Sequence, residues 1–284
     1  MRITGAQWPR RVRSGGSARS AGRSALACVT AVVLAATLAG CGEDGPRDGA
    51  TDGARDDGTR RGSVLPGASE AGRPNSAAGT GSSGWTGGFA NPTRVPGIGD
   101  RMWAKVPREA RQVVTVHGEG PDSPDATVRL YTRKQSTWTR EHTWPAHNGR
   151  KGWTPNHREN DKRSPVGVFT LSDAGGLLPD PGSALPYEHN EAFTPPSYWP
   201  DAKRNDFDHV IAVDYNRVRG TTPLDPTRPR GQSKGGGIWL HLDHGYGTSG
   251  CVSLPREAIV SLLRTLDPAD HPVVVMGDKK TLSR

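Results

Sequence analysis

Residues 238–242 alternate apolar and polar positions, with Ile238, Leu240 and Leu242 facing one way and Trp239, His241 and Asp243 the other. The alternation predicts a strand that carries an imidazole and a carboxylate on one face. Similar short runs at residues 112–117, 126–131, 137–144, 208–215 and 271–276 predict further strands. Gly118-Glu119-Gly120-Pro121-Asp122 and Lys134-Gln135-Ser136 divide the first three of these, so the domain is expected to open as an antiparallel meander. At residues 164–171, Pro165 ends pairing and Gly167 lets a strand pass close to another backbone, a purely architectural pattern with no nucleophile or base. Helical spacing is confined to one stretch, where Ile259, Leu262, Leu263 and Leu266 share a face behind Pro255, a residue suited to a first helical position. Residues 172–207 show no period. They predict a long structured insertion whose Tyr187, His189, Phe193, Tyr198 and Trp199 either face a ligand or pack the loop onto the sheet. The expected class is mainly β with one notable helix.

Upstream the pattern disappears. Residues 42–100 are dominated by Gly, Ala, Asp, Arg, Ser, Pro and Thr, with scattered apolar exceptions such as Val64, Trp85, Val95 and Ile98. Such a composition does not bury enough apolar surface to offset chain entropy, so the stretch reads as a disordered linker with a reach on the order of 40 Å. The expected organisation is therefore a targeting segment at 1–40, a linker at 41–109 and one folded domain at 110–284.

Composition then removes one function class. The formal charge is +8, but Arg2, Arg10, Arg11, Arg13, Arg19 and Arg23 all precede the first acidic residue. Without them 31 basic residues face 29 acidic ones, from totals of 37 and 29, a net of +2 that gives no basis for nucleic-acid binding.

The first forty residues run from an arginine-rich stretch into an apolar segment at 25–39 that ends in Leu38-Ala39-Gly40-Cys41. That ending resembles a lipobox, in which cleavage leaves a diacylated Cys41 as the new N-terminus and anchors the protein to the outer face of a bacterial membrane. The apolar run is short for a membrane span. Of the chain's three cysteines, Cys28 would leave with the signal and Cys41 would be acylated, so Cys251 is expected to remain as a thiol in an exported domain.

Cys251 follows a loop with glycines at 245, 247 and 250, which lets the chain fold back toward the strand carrying His241. An imidazole beside a thiol activates it as a nucleophile, and backbone amides around Gly250 are candidates for an oxyanion hole. The run Thr248-Ser249-Gly250-Cys251-Val252 behind a strand with His241 resembles the signature of the bacterial L,D-transpeptidases of the YkuD type. The segments 148–153 and 161–171 and the strand end Asp214-Tyr215-Asn216 resemble further landmarks of that family. Ser249 stands where the common pattern has histidine, Ser253 where an arginine often follows, and the spacing from His241 to Cys251 is short.

The resemblance implies a β-sandwich or partly closed barrel over about residues 110–277. It implies peptidoglycan stem peptides as substrates and a cell-wall location, with Cys251 as nucleophile, His241 as general base and the Gly250 amide as oxyanion donor. His244, Tyr246, Thr248 and Ser249 are the expected substrate contacts, Asp243 is a candidate to orient His241, and no cofactor is called for. Two alternatives stay open: a carboxypeptidase or hydrolase using the same site with water as acceptor, and a scaffold lipoprotein in which His241, Asp243, His244 and Cys251 gather on zinc.

Overall fold

The computed structural model describes residues 93–284, so the signal segment, Cys41 and most of the linker lie outside the described residues. The described chain starts earlier than expected. Val95, Ile98 and Met102, left in the linker or ahead of the domain by their surroundings in the sequence, are buried, and a short helix α1 (Asp100–Trp103) packs there. The Gly99 and Arg101 amides donate to Leu282 O and Arg284 O, which joins the start of the domain to its end. Isolated apolar residues thus acquire a core by meeting the C-terminus, a partner that local composition does not reveal.

The meander forms as expected from β1 (Gln112–Gly118), β2 (Asp125–Lys134) and β3 (Thr137–His147), paired antiparallel in order. A two-stranded parallel patch, β4 (Trp153–Thr154) with β5 (Ser164–Pro165), precedes the long β6 (Gly167–Gly176) and the short β7 (Tyr187–His189). Then come β8 (Val210–Val213), β9 (Trp239–Leu242), β10 (Val252–Leu254), the helix α2 (Arg256–Thr265), β11 (Val273–Asp278) and a terminal turn of helix α3 (Lys279–Leu282).

The main sheet runs β11-β1-β2-β3-β10-β9-β8-β6-β7, and an added β11–β6 pairing brings its ends together. The product is a partly closed barrel. Closure is thinnest at β3–β10, joined through the single register pair His147 and Ser253. Alternation fills the interior with Val114, Val116, Val128, Leu130, Leu240, Leu242, Val252 and Leu254, against which α2 lays Ile259, Leu262 and Leu263. Hydrophobic burial of this kind is worth about 1.5–3 kcal/mol per large side chain.

A separate cluster organises the outer face of β8 and β9. Phe193, Trp199 and Phe207 from the insertion pack on Val210, Ala212, Trp239 and Cys251. Phe193, Trp199 and Phe207 therefore clamp the loop to the sheet, while His189 and Tyr198 stand exposed.

Beyond β8, the buried Arg217 guanidinium bonds Asp173 at 2.9 Å and Asp214 at 2.5 Å. Asn216 holds the next loop at both ends, accepting from Arg230 N and donating to Gly231 O and Gly235 O, while Tyr215 Oη donates to Lys234 O. These ties bring residues 230–237 into position to enter β9.

Candidate active site

β9 and β10 are parallel neighbours in the register Leu240 with Val252, His241 with Ser253 and Leu242 with Leu254. Parallel pairing needs a crossover, and the glycine-bearing loop 243–251 supplies it in few residues. Side chains alternate, so Cys251 and Ser253 lie on the face that also carries Trp239 and His241. Cys251, one residue ahead of β10, stands diagonal to His241 in this register. Histidine and cysteine therefore share a face, as the sequence pattern leads one to expect.

The sulfur is enclosed. Cys251 is fully buried, its Sγ accepts from the Trp239 N–H at 3.3 Å and lies 3.4 Å from Gly237 O. The structure carries Cys251 as a half-cystine where the sequence reading leaves a thiol, and the described residues hold no other cysteine. Nucleophilic chemistry at this sulfur requires its reduced state.

The loop before Cys251 is knitted by its own polar groups. Thr248 Oγ1 donates to Cys251 O at 2.6 Å and accepts from the Gly250 N–H at 3.1 Å. The Thr248 backbone joins the 148–150 turn, donating to Asn148 O and accepting from Arg150 N. Ser164 Oγ accepts from Gly149 N at 2.8 Å and donates to Gly250 O at 2.7 Å, tying two loops with one hydroxyl. Gly149 is required there, since a Cβ would sit 2.7 Å from both Lys162 O and Ser164 N.

The Gly250 amide, expected to face an oxyanion, donates to Thr248 Oγ1 in this structure. Thr248 and Ser249, expected at the substrate, are both buried.

His241 is the most enclosed histidine of the site, 1% exposed. Its Nδ1 lies 2.7 Å from Leu242 O, a pure acceptor, so Nδ1 carries the proton and Nε2 presents a lone pair. Phe207 packs edge-on to the ring at 5.5 Å, and the His244 ring lies nearly parallel at 6.1 Å. Burial lowers the His241 pKa more than the nearby Asp206 carboxylate raises it, so the ring is neutral at pH 7.

Asp243 does not orient this ring. It accepts from Ser253 Oγ at 2.6 Å and contacts His147 Nδ1 at 2.8 Å. Burial alone would raise its pKa, but these bonds, the His147 charge and the Gly245 N–H together lower it. Asp243 thus braces the weak β3–β10 seam.

His244 is also held rather than loose. Its side chain is 2% exposed and its Nδ1 meets both Asp206 oxygens, at 3.2 and 3.0 Å. Tyr246 stands half exposed at the rim, edge-on to His244 at 4.3 Å, with the Lys203 ammonium 5.5 Å from its ring. One ligand-type atom from each of Asp206, His241 and His244 lies within 4.8 Å of the others, so of the zinc-type grouping considered from sequence the two histidines come together, joined by Asp206, without Asp243 or Cys251.

Sequence reasoning did not single out Asp206, Ser164 or the buried His157, whose Nδ1 is 2.9 Å from Asp161 Oδ1 and whose ring borders Gly235 and Gly250. Asp206 precedes Phe207, which the outer cluster buries, and that proximity is the one local sign of its role.

The family described as YkuD, L,D-transpeptidase catalytic domain, matches residues 122–275, more than half of the chain. Comparison with curated proteins returns no match. A solved structure titled "Structure of Bdellovibrio bacteriovorus Bd1075" is similar at TM-score 0.35 and 16% identity, covering 60% of this chain and 48% of that one. The matched region thus spans about half the length of that protein.

Proposed function

Because the chain belongs to the YkuD family of L,D-transpeptidase catalytic domains, we propose that it is a peptidoglycan L,D-transpeptidase working through a cysteine thioester. The observation that carries this reading is the parallel β9–β10 register, which puts Cys251 and a neutral His241 with a defined tautomer on one face.

The reaction needs Cys251 as a thiol, the state expected once Cys28 has left with the signal and Cys41 has been acylated. His241 Nε2 takes the thiol proton, and the Trp239 N–H 3.3 Å from Sγ favours the thiolate. The sulfur attacks the carbonyl between the third, L-centre residue of a tetrapeptide stem and its terminal D-residue. A C–S bond forms, the C–N bond breaks, and the leaving amine receives the proton from His241. An amine of a neighbouring stem then attacks the thioester, gives a proton to His241 and releases the thiolate, which recovers it. Asp206 lies close enough to His241 to favour the imidazolium in both halves of the cycle.

In the same reading the enzyme is a lipoprotein anchored through Cys41, and the linker lets the domain search the wall above the membrane. A Cys41→Ala protein that still partitions with membranes would exclude the anchor.

The experiment is intact-mass analysis of the reduced protein after exposure to a carbapenem, followed by stem-peptide turnover with and without an added amine acceptor. One adduct on Cys251 and an amine-dependent cross-linked product support transpeptidation. Hydrolysis alone, unaffected by amine, assigns the site to a carboxypeptidase, and absence of both adduct and turnover refutes the acylating thiol.

A further inference from the structure

Two imidazole nitrogens, on His241 and His244, pose a problem of unsatisfied polarity. His241 Nδ1 donates to Leu242 O and His244 Nδ1 donates to Asp206, so in each ring the proton is on Nδ1 and the lone pair on Nε2. Both Nε2 atoms are buried without a hydrogen-bond partner. Buried acceptors seldom remain unmet, because an orphaned polar atom costs about 1–3 kcal/mol.

The arrangement has the features of a cation site. Ring nitrogens that bind metal usually have the opposite nitrogen donating to a carboxylate or a backbone carbonyl, which sets both tautomer and ring direction. Asp206 fills that place for His244 and Leu242 O fills it for His241. One ligand-type atom from each of the three residues lies within 4.8 Å of the others, and Asp206 adds a negative charge. The rings are nearly parallel, 14° apart, and are clamped from outside by Phe207 and Tyr246. Calcium and magnesium prefer all-oxygen sites, whereas two imidazoles with a carboxylate suit zinc.

We propose that Asp206, His241 and His244 form a site for a divalent transition ion of the zinc class, and that its occupation masks His241 Nε2. The masking rests on His241 being the general base, whereas the binding does not. Metal entry would therefore switch off acylation at Cys251 without touching the sulfur: the ion takes the lone pair that must accept the thiol proton.

The test uses zinc and the full chain carrying Cys251→Ala, which excludes sulfur as a ligand and makes the measurement independent of any acyl transfer. Titration calorimetry and competition with a chromogenic chelator should give one zinc per chain. Asp206→Asn and His244→Gln, each added to that background, should weaken binding at least about 10-fold, the scale seen for changes around metal-bound histidines. Circular dichroism and thermal melting check that each variant is folded, and the milder Asp206→Asn keeps the test available if His244→Gln is not.

Absence of stoichiometric zinc, or binding that survives both substitutions unchanged, overturns the site. With Cys251 present and reduced, zinc should slow carbapenem acylation in step with occupancy and chelator should restore it. Zinc bound at full occupancy with acylation unaltered overturns the masking. Loss of acylation without zinc, by contrast, would count against the transpeptidase reading and leave the metal site standing.

Discussion

Trp239 N–H points at Cys251 Sγ across 3.3 Å, so the strand that carries His241 also holds the sulfur of the next strand in place. The sulfur is thus held by a backbone N–H rather than by a side chain.

That backbone contact makes Cys251→Ser a fair test of the chemistry. The serine hydroxyl can take the same Trp239 donor, so the variant should fold with an unchanged melting temperature. It should give no covalent carbapenem adduct by intact mass, since a hydroxyl beside the same base is a far weaker nucleophile. Adduct formation at the wild-type rate would refute the assignment.

His241→Gln should lower the acylation rate by about 10²–10⁴, the usual contribution of a general base. The pH profile supplies the sharper readout. Burial lowers the His241 pKa, so the wild-type acylation rate should fall only at pH values below the ordinary imidazole value of 6.5, when the ring becomes protonated. The variant should lose that acid limb. Stopped-flow acylation from pH 4 to 8 checks both.

Ser164→Ala removes the hydroxyl shared by Gly149 N and Gly250 O. Leaving those buried groups unmet should cost about 1–3 kcal/mol in urea unfolding. Acylation should slow as well, because the loop before Cys251 loses its tie to the 148–150 turn. A stability change with an unaltered acylation rate would show that the tie serves the fold alone.

Arg217→Met should be more damaging than either. It removes the buried cation paired with Asp173 and Asp214, whose side chains are 5% and 3% exposed, and breaking a buried pair typically costs about 3–5 kcal/mol. Urea unfolding of the variant measures the loss.

Acid should destabilise the domain through histidines that are buried in neutral form. Burial and the Arg129 charge lower the His117 pKa from 6.5 to about 4. The unfolded chain binds a proton near 6.5 while the folded chain does not until about 4, so this stability is complete above 6.5 and is lost as pH falls toward 4. The window is worth about 3 kcal/mol for His117, and His157 and His241 shift in the same direction. Denaturant unfolding between pH 4 and 7 should show the slope, and His117→Gln should flatten it.

The sequence by itself determined most of the long strands, the one notable helix, the face of β9 that carries His241 and a loop able to turn Cys251 back toward it. The parallel β9–β10 register put Cys251 on that face. Alternation along 238–242 and a glycine-bearing loop are local properties, and pleating converts them directly into side-chain direction. Its α2 face, with Ile259, Leu262 and Leu263, was legible for the same reason. Tertiary structure decided what each polar group bonds to. Asp243 is near His241 in sequence and on its face, yet the β3 strand brings His147 to claim it, with Ser253 of β10 on its other side. Asp206, far from His241 in sequence, arrives because Phe207 is drawn into the outer aromatic cluster, carrying its neighbour into contact with His244. Thr248 and Gly250 carry recognisable motif positions, and only the fold shows that the 148–150 turn and Ser164 bond to them. Val95 and Ile98 are buried because Val113, Tyr131, Trp138, Val273 and the C-terminal Leu282 share their cluster. Periodicity reports which way a side chain points; its partner depends on which distant segment the closed barrel brings alongside.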